Sequence, residues 1–472
     1  MRCSDAPTIT FMKPHLFLLA LLALSSPLPA ADWPQFRGPN RDSVSTDTNV
    51  PLKWSETENM KWKLDLPGPG ASSPIVTGNK VIVTCFSGHN TETGDVSGLV
   101  RHVVCADKAT GQKLWQKDYP AKHRDDPSRG MIMEHGFTSN TPATDGENVY
   151  VHWGKGGVVA LTLDGKELWT ADTGSESNRM RWGSAGSVLL WKNLVIVNAS
   201  DEAQALIAFD KTTGKQAWKQ AASSLEMSFS SPRLFKQSDG REDMLVAANG
   251  ELWGLNPESG KLRWWSVHGL NGNFSPDPVV VGDVVCIFGG FPQTGRVAVK
   301  AGIKDEAPES NVLWRDNNSS YVPTPVLHDG KLYVVNDQGL AWCADAKTGD
   351  MLYRERSLET VSSGTSSGGG RGDGNASGGG RGDGSGGGGG GGGRRGGGGG
   401  NKPFYASPLV IGDMIYAVSR KQGTLVYPAK PQFEKPTVNV IASDTTDFNA
   451  TPAVSDGCLY LRSNKALYCV GK

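Results

Sequence analysis

Seven of the eight repeated segments in this chain are preceded by a loop that carries an aromatic side chain. These aromatic residues are Phe137, Trp182, Phe229, Phe274, Tyr321, Phe404 and Phe448. Charged or titratable side chains accompany some of them, namely Glu134, His135, Arg181, Glu226 and Asp447. A ring of aromatic and polar groups can bind a flat or sugar-like ligand, or a peptide strand. The alternative is that the aromatic side chains fill a central channel or pack between repeats.

Glu134 and His135 are the two residues in this set that could transfer a proton. A solvated pair in a loop is the alternative interpretation, and we assign no catalytic residue. Six cysteines follow the N-terminal segment, and none has the C-x-x-C spacing of a zinc or haem site. We therefore predict no metal site. Cys458 and Cys469 would face each other across a hairpin, either as a disulfide or as two buried thiols.

A small residue followed by proline, and then a short apolar strand, recurs along the chain. The prolines are Pro74, Pro142, Pro232, Pro278, Pro325, Pro408 and Pro452, and Gly186 stands in the remaining copy. Most spacings are 44 to 47 residues. A period of about 40–45 residues with short strands and glycine-containing turns predicts four-stranded propeller blades.

A turn motif of the form AxDxxTGxxxW joins the third and fourth strands of several repeats. "CADKATGQKLW" and "AFDKTTGKQAW" are two copies. The aspartate can accept backbone N–H groups of the turn, and the glycine can adopt a conformation that other residues avoid. We predict that the tryptophan lies between neighbouring blades. The docking residues are Trp62, Trp115, Trp169, Trp218, Trp264 and Trp314.

These repeats predict an all-β protein, an eight-bladed β-propeller. The last repeat ends three strands in, so we expect its fourth strand to come from Asn59 to Leu66, with Trp62 in the docking position. Such closure leaves no blade with an open edge. The propeller then comprises residues 59–361 and 402–472, and residues 32–58 form a lead-in segment.

Two segments lie outside this pattern. Residues 1–31 read as a secretory signal peptide, because a basic start precedes a nine-residue apolar run and small residues at Ala30 and Ala31. Residues 362–401 are nearly all Gly, Ser, Arg and Asp, which predicts a disordered insert. Its two RGD triplets are either adhesion motifs for an integrin-like receptor or a consequence of its composition, and we favour composition. We expect an exported protein, periplasmic or secreted, without a membrane span.

The repeat motif resembles the tryptophan-docking repeat of pyrroloquinoline-quinone-like (PQQ-like) propellers, within the quinoprotein alcohol dehydrogenase-like superfamily. "DWPQFRGPNRDSVS" resembles the segment before the propeller in secreted proteins of planctomycete and verrucomicrobial type. The resemblance implies two alternatives. Quinoprotein dehydrogenases bind PQQ and calcium, with a vicinal cysteine pair over the quinone. The other branch is non-catalytic and includes the propeller lipoprotein of the outer-membrane β-barrel assembly machinery.

The absence of adjacent cysteines favours a non-catalytic binding or scaffold module without a cofactor. A PQQ- or metal-dependent oxidoreductase with an atypical site is the alternative, with PQQ and calcium as its cofactors. Lys+Arg and Asp+Glu are equal at 48 each, so the charge gives no indication of nucleic acid as a partner. We expect a monomer whose partner is a protein or a small ligand.

Overall fold

The computed structural model describes residues 32–291, 294–358 and 402–472. Eight sheets are arranged as the blades of a β-propeller, which confirms the predicted fold. The predicted signal peptide and all of the predicted insert lie outside the described residues. One short α-helix, Met131–His135, and the 3₁₀ turns Gly154–Gly156, Ser223–Leu225 and Glu309–Asn311 lie in the connections.

Each blade is an antiparallel sheet in which the strands follow chain order from the channel outward. Blade 1 contains Ile75–Thr77, Lys80–Ser87, Val100–Asp107 and Lys113–Pro120. Blade 2 contains Ala143–Thr144, Asn148–His152, Val158–Thr162 and Glu167–Ala171. Blade 3 contains Leu189–Trp191, Leu194–Ala199, Ala205–Asp210 and Gln216–Ala221. Blade 4 contains Arg233–Lys236, Glu242–Ala248, Glu251–Leu255 and Leu262–Val267, with Asp305–Glu306 added in parallel outside.

The remaining blades follow the same plan, with additions from the N-terminal segment. Blade 5 contains Val279–Val281, Val284–Gly289, Gly295–Lys300 and Val312–Asp316. Blade 6 contains Val326–His328, Lys331–Val335, Leu340–Asp345 and Met351–Arg356. Blade 7 contains Leu409–Ile411, Met414–Val418, Thr424–Pro428 and Thr437–Asn439, with Val44–Ser45 on its channel side. Blade 8 contains Ala453–Ser455, Cys458–Arg462, Ala466–Val470 and Met60–Asp65.

The two middle strands of a blade are apolar along most of their length because both of their faces are covered. In blade 3, all six residues of Leu194–Ala199 are buried. Val103 of blade 1 packs in one cluster with Val149 and Val159 of blade 2. A single blade could not cover both faces by itself, so the ring is the unit that buries the core.

The N-terminal strand completes blade 8, as the sequence predicts. Met60–Asp65 pairs antiparallel with Ala466–Val470, and Trp62 lies opposite Cys469. The Trp62 indole donates to Lys108 O in the turn of blade 1 at 2.9 Å. The seam between the last and first blades therefore uses the same indole-to-carbonyl contact that Trp115, Trp169, Trp218 and Trp314 make at four other blade pairs.

Five of the six docking indoles rest on the turn glycine of the next blade. A Cβ atom added to Gly111 would lie 2.5 Å from Trp62, and one added to Gly214 would lie 2.6 Å from Trp169. These glycines also have positive φ angles, 71° and 69°. The motif thus requires glycine for two reasons. The backbone has a positive φ angle, and the indole occupies the space that a side chain would fill. Equivalent contacts join Trp115 to Gly165, Trp218 to Gly260 and Trp314 to Gly349.

The turn aspartates hold the glycine in place. Asp107 Oδ1 accepts N–H groups of Ala109 at 3.0 Å and Thr110 at 2.9 Å. Asp210 makes the same pair of contacts with Thr212 and Thr213. These short local bonds are those of an Asx turn.

Trp264 departs from the pattern because blade 5 has lost the turn motif. Its indole packs on Gly302 and donates to Asp243 Oδ2 of its own blade at 2.8 Å, not to a carbonyl of the next blade. The Asp243 carboxylate also accepts from Arg263 Nη1. The side chain is fully buried all the same.

Cys458 and Cys469 lie on neighbouring strands of a hairpin, as expected, but they are not directly opposite each other. Cys469 lies opposite Tyr460, so the two thiols are diagonal neighbours. All six cysteines among the described residues are buried free thiols. Burial raises the pKa of the Cys85 thiol to about 11, which disfavours its reactive thiolate form.

Candidate functional site

A ring of small polar residues surrounds the central channel, one from each blade, two residues before the start of its first strand. The ring consists of Ser73, Thr141, Ser187, Ser231, Asp277, Thr324, Ser407 and Thr451. In blade 3 the residue after the ring position is Val188. The alignment of Gly186 with the prolines was therefore wrong by two residues.

Hydrogen bonds connect this ring from one blade to the next. Each backbone N–H donates to the side-chain oxygen of the following ring residue, as in Ser187 N to Ser231 Oγ at 3.0 Å. Seven such bonds run from Ser73 to Thr451, with lengths of 2.7 to 3.1 Å. The Ser73 hydroxyl has no partner among the described residues. The ring gives the channel wall a continuous polar belt, interrupted only at the seam between blades 8 and 1.

The lead-in segment closes one end of the channel. Trp33 pairs with Val76 of blade 1, and Pro34 O accepts from Thr144 N of blade 2. Arg41 then donates to Pro232 O and Val188 O, and Arg37 donates to Pro325 O at 2.9 Å. These carbonyls belong to the residues next to the polar ring, so the buried arginines occupy the floor beneath it. The sequence assigned a lead-in here but did not predict a plug.

A cavity of 140 Å³ lies between this floor and the opposite mouth. Aromatic and apolar walls come from Phe36, Met131, Trp182, Phe229, Tyr321, Val322 and Tyr405. The polar ring, His135, Ser139, Asn273, Ser275 and Asn449 supply its polar surface. Mostly apolar walls with a few convergent polar groups are typical of small-molecule sites.

Four of the predicted loop residues line this cavity, namely His135, Trp182, Phe229 and Tyr321. The other aromatic residues pack elsewhere. Phe274 and Phe404 are fully buried between blades. Phe137 contacts Phe86 edge-on at 5.2 Å, and Phe448 stacks on Tyr468 at 6.1 Å. For these four residues, the interpretation as blade packing describes their environment better.

The predicted charged residues lie at the mouth and not in the cavity. Glu134 Oε2 and Asp447 Oδ2 both contact Arg420 Nη2, at 2.7 and 2.6 Å. Arg420 also packs over the Tyr405 ring at 4.6 Å and so connects the loop of blade 2 to blades 7 and 8. Arg420 and Tyr405 were not identified from the sequence.

Two further charged residues lie on the outer rim of the mouth. Arg181 is mostly exposed, with its guanidinium 3.9 Å from Asp126. Glu226 lies 4.0 Å from Arg179. Both pairs are long and both arginines are mostly exposed, so each pair contributes little to stability.

His135 does not form a proton-transfer pair with Glu134. Its Nε2 lies 2.8 Å from Trp182 O, which accepts a hydrogen bond, and its Nδ1 lies 2.5 Å from Ser139 Oγ. Burial lowers the pKa of the imidazole, so the neutral form with the proton on Nε2 matches these contacts. The histidine ties the helix over the mouth to the loop that carries Trp182.

A buried charged cluster lies beside the mouth, between blades 1, 2 and 3. Lys155 Nζ contacts Asp126 Oδ2 at 2.8 Å, and His152 Nε2 contacts Glu202 Oε1 at 2.7 Å. Asp201 accepts from Asn178 N at 2.9 Å. Burial, and then the charges of Glu202 and Asp126, raise the pKa of Asp201 to about 7.

This cluster predicts a pH dependence of stability. An Asp201 carboxyl with a pKa of about 7 in the folded state and 3.8 otherwise binds more protons when folded. The contribution of protonated Asp201 to the free energy of unfolding is therefore fully present below pH 4 and is lost as the pH rises through 7. Asp201→Asn should be more stable than the parent at pH 8 by about 1–2 kcal/mol, with no gain at pH 4. Urea unfolding at the two pH values measures this, and an equal effect at both would contradict it.

Ser87, His102 and Asp118 form a hydrogen-bonded chain across three strands of blade 1. His102 Nε2 lies 2.8 Å from Ser87 Oγ, and Nδ1 lies 2.7 Å from Asp118 Oδ1. The atoms follow the order of a serine hydrolase triad. Ser87, however, is part of a regular strand opposite Val100, not a sharp turn, and it does not line the channel cavity. We interpret the chain as cross-strand pairing.

The cavity does not fit PQQ with calcium. A cavity of about 150 Å³ holds a single benzene ring, whereas PQQ has three fused rings. Among the described residues, no three His, Cys, Asp or Glu side chains are grouped so that they could hold a metal ion. The chain also has no adjacent cysteines. We therefore derive no redox step through this site.

A family model described as "Outer membrane protein assembly factor BamB" matches residues 100–354, which is more than half of the chain. The chain belongs to this family. A search of curated proteins finds no match.

Solved structures of other proteins, BamB and quinoprotein dehydrogenases among them, share the fold of this chain. BamB from Moraxella catarrhalis is similar with a TM-score of 0.53 and 13% identity, over 87% of this chain and 96% of that one. Quinohemoprotein alcohol dehydrogenase from Comamonas testosteroni is similar with a TM-score of 0.57 and 11% identity, over 94% and 81%. These identities establish the fold alone. Within the described ranges, no helix has the length and apolar character needed to cross a membrane.

Proposed function

We propose that this protein is an exported, non-catalytic binding or scaffold module whose central funnel holds a protein segment or a small ligand. The observation that carries the proposal is a channel closed at one end by the lead-in segment, with an aromatic cavity at the other. Such a funnel can admit a ligand from one side only. We further propose that the protein is periplasmic or secreted, as the N-terminal sequence pattern suggests, and that it is a monomer.

The mouth of the funnel carries side chains that are typical of recognition surfaces. Trp182 contacts Phe229 at 6.2 Å and Phe291 at 6.1 Å, and Phe291 contacts Tyr321 at 5.3 Å. Phe291 is 45% exposed, although a buried location is usual for so large an apolar ring. Exposed Met180 and Arg181 precede Trp182 in the same loop. Trp, Arg and aromatic residues dominate the binding energy of protein interfaces.

The family supports the scaffold interpretation by analogy. The family is named for an assembly factor, not for an enzyme, and residues 100–354 of this chain match it. Fold does not determine function, so the funnel residues must be tested directly.

The test compares two variants of the full chain as immobilised bait. The double variant Trp182→Ala/Phe291→Ala removes the aromatic mouth, and Ile303→Ala removes another exposed apolar side chain outside the funnel, 67% exposed. We expect partners or ligands recovered with the parent to bind Ile303→Ala equally and the double variant at least about tenfold more weakly. Thermal unfolding should show that both variants fold. Unchanged binding to the double variant would exclude the funnel as the site.

The oxidoreductase alternative has its own experiment. The full chain is titrated with PQQ and calcium while quinone absorbance, melting temperature and dye-linked alcohol or sugar oxidation are measured. On the size of the cavity, we expect no thermal shift and no turnover. Saturable quinone binding with dye reduction would replace the binding-module proposal by the enzymatic one.

A further inference from the structure

The ring hydroxyls can act as hydrogen-bond donors toward the channel. A serine or threonine hydroxyl has one donor and two acceptor positions. Six of the ring hydroxyls already accept a backbone N–H from the preceding blade, as Thr324 Oγ1 accepts from Asp277 N at 2.9 Å. Their O–H hydrogens are not needed for those bonds, and none of them donates to another group among the described residues. The Ser73 hydroxyl is buried without any partner.

The floor beneath the ring carries an excess of positive charge. Arg37 and Arg41 are buried, and Arg233 donates to Arg41 O at 2.6 Å. Among the described residues, Asp42 and Asp277 are the two carboxylates whose charges act on the pKa values of these arginines. Burial lowers the pKa of Arg37 and Arg41 to about 10, so both remain protonated at neutral pH. A buried charge without a counterion is costly.

Two details of this floor indicate that its positive charge is not fully compensated by the surrounding protein groups. Arg37 Nη1 is buried and has no hydrogen-bond partner among the described residues. Asp277 is the one ring position that is acidic, and its carboxylate is attracted by all three arginines. With both carboxylates charged, a single positive charge remains unbalanced. Burial raises the pKa of Asp277, which would increase this excess.

We propose that the bottom of the channel cavity binds a small carboxylate ligand with an apolar, ring-sized body. The carboxylate accepts hydrogen bonds from the ring hydroxyls above the arginine floor, and the apolar body packs against Trp182, Phe229 and Tyr405. The cavity of 140 Å³ is close in size to one that holds benzene, so a benzoate-like ligand is of the right dimension. This inference rests on the proposed function, since it names the ligand class of the same funnel.

The test uses benzoate and its neutral isostere benzamide with the full chain, by isothermal titration and tryptophan fluorescence. The two probes have the same shape and differ in charge. We expect benzoate to bind at least tenfold more tightly than benzamide. Equal binding of both would overturn the anion site while leaving the funnel as a binding site. Binding of neither would overturn the inference, and the bait experiment above would still decide the proposed function.

Two variants locate the charge and the hydroxyls. Asp277→Asn keeps the oxygen that accepts from Ser231 N and removes the negative charge. It should tighten benzoate binding about tenfold and leave benzamide unchanged. Weaker benzoate binding in a folded Asp277→Asn variant would overturn the proposal, because the carboxylate would then favour the ligand.

Ser73→Ala removes a hydroxyl that makes no hydrogen bond within the described structure, so its fold should be unaffected. We expect benzoate to bind three- to tenfold more weakly to this variant. Ser175→Ala, at an exposed position, is the matched control and should bind as the parent does. Identical affinities for both variants would exclude the Ser73 hydroxyl, and with it the donor ring, from the site.

Discussion

Gly214→Ala is expected to destabilise the propeller by about 2–5 kcal/mol. Two costs combine at this position. Alanine is strained at a φ of 69°, which costs about 1–2 kcal/mol. Its Cβ would also lie 2.6 Å from the Trp169 indole, and such overpacking adds about 1–3 kcal/mol. The free energy of unfolding in urea measures the sum.

Gly330→Ala separates the two costs. Gly330 has a similar φ of 73°, but nothing lies within 4 Å of an added Cβ. This control should therefore lose only the conformational contribution of about 1–2 kcal/mol. If both variants lost the same amount, the indole contact would have no energetic role, and glycine would be required only for its backbone.

Trp62→Ala is expected to destabilise the protein by about 3–5 kcal/mol, as for other buried tryptophans. The indole is 8% exposed, and it is the contact by which the N-terminal strand joins blade 8 to blade 1. Its loss leaves a cavity at the seam and an unpaired Lys108 carbonyl. Urea unfolding measures the loss, and limited proteolysis should show faster cleavage near residues 59–66.

Lys61→Ala is the control on the same strand, because Lys61 is exposed where Trp62 is buried. It should change the free energy of unfolding by less than about 0.5 kcal/mol. A Trp62→Ala variant as stable as Lys61→Ala would show that ring closure does not depend on the indole.

The blades were predictable because each is built from local signals. The Asp–Gly turn, the following tryptophan and the small residue before each inner strand lie within one repeat of about 45 residues. Ring closure could also be inferred from the sequence. The final repeat has only three of its four strands, and Met60–Asp65 has the alternation of buried and exposed residues expected of the missing strand. Blade 5 shows the limit, because its lost turn changes the partner of the Trp264 indole to Asp243.

The cavity lining was only partly predictable, for a reason of backbone geometry. In an extended segment, successive side chains point in opposite directions. Phe404 is therefore buried between blades while Tyr405 faces the cavity, and Asn273 and Ser275 line it on either side of buried Phe274. An aromatic residue near the channel is visible in the sequence, but a shift of one position decides which way it points.

The amino-acid sequence alone is sufficient to predict the strands, the turns and the number of blades, because these depend on residues that are close together in sequence. The polar ring, the arginine floor and the contacts of Arg420 depend on closure of the whole circle. Arg37 meets Pro325, and Arg420 meets Glu134, only after blades far apart in the chain are brought around one axis. No local sequence pattern predicts these long-range contacts, because their geometry is set by the packing of all eight blades.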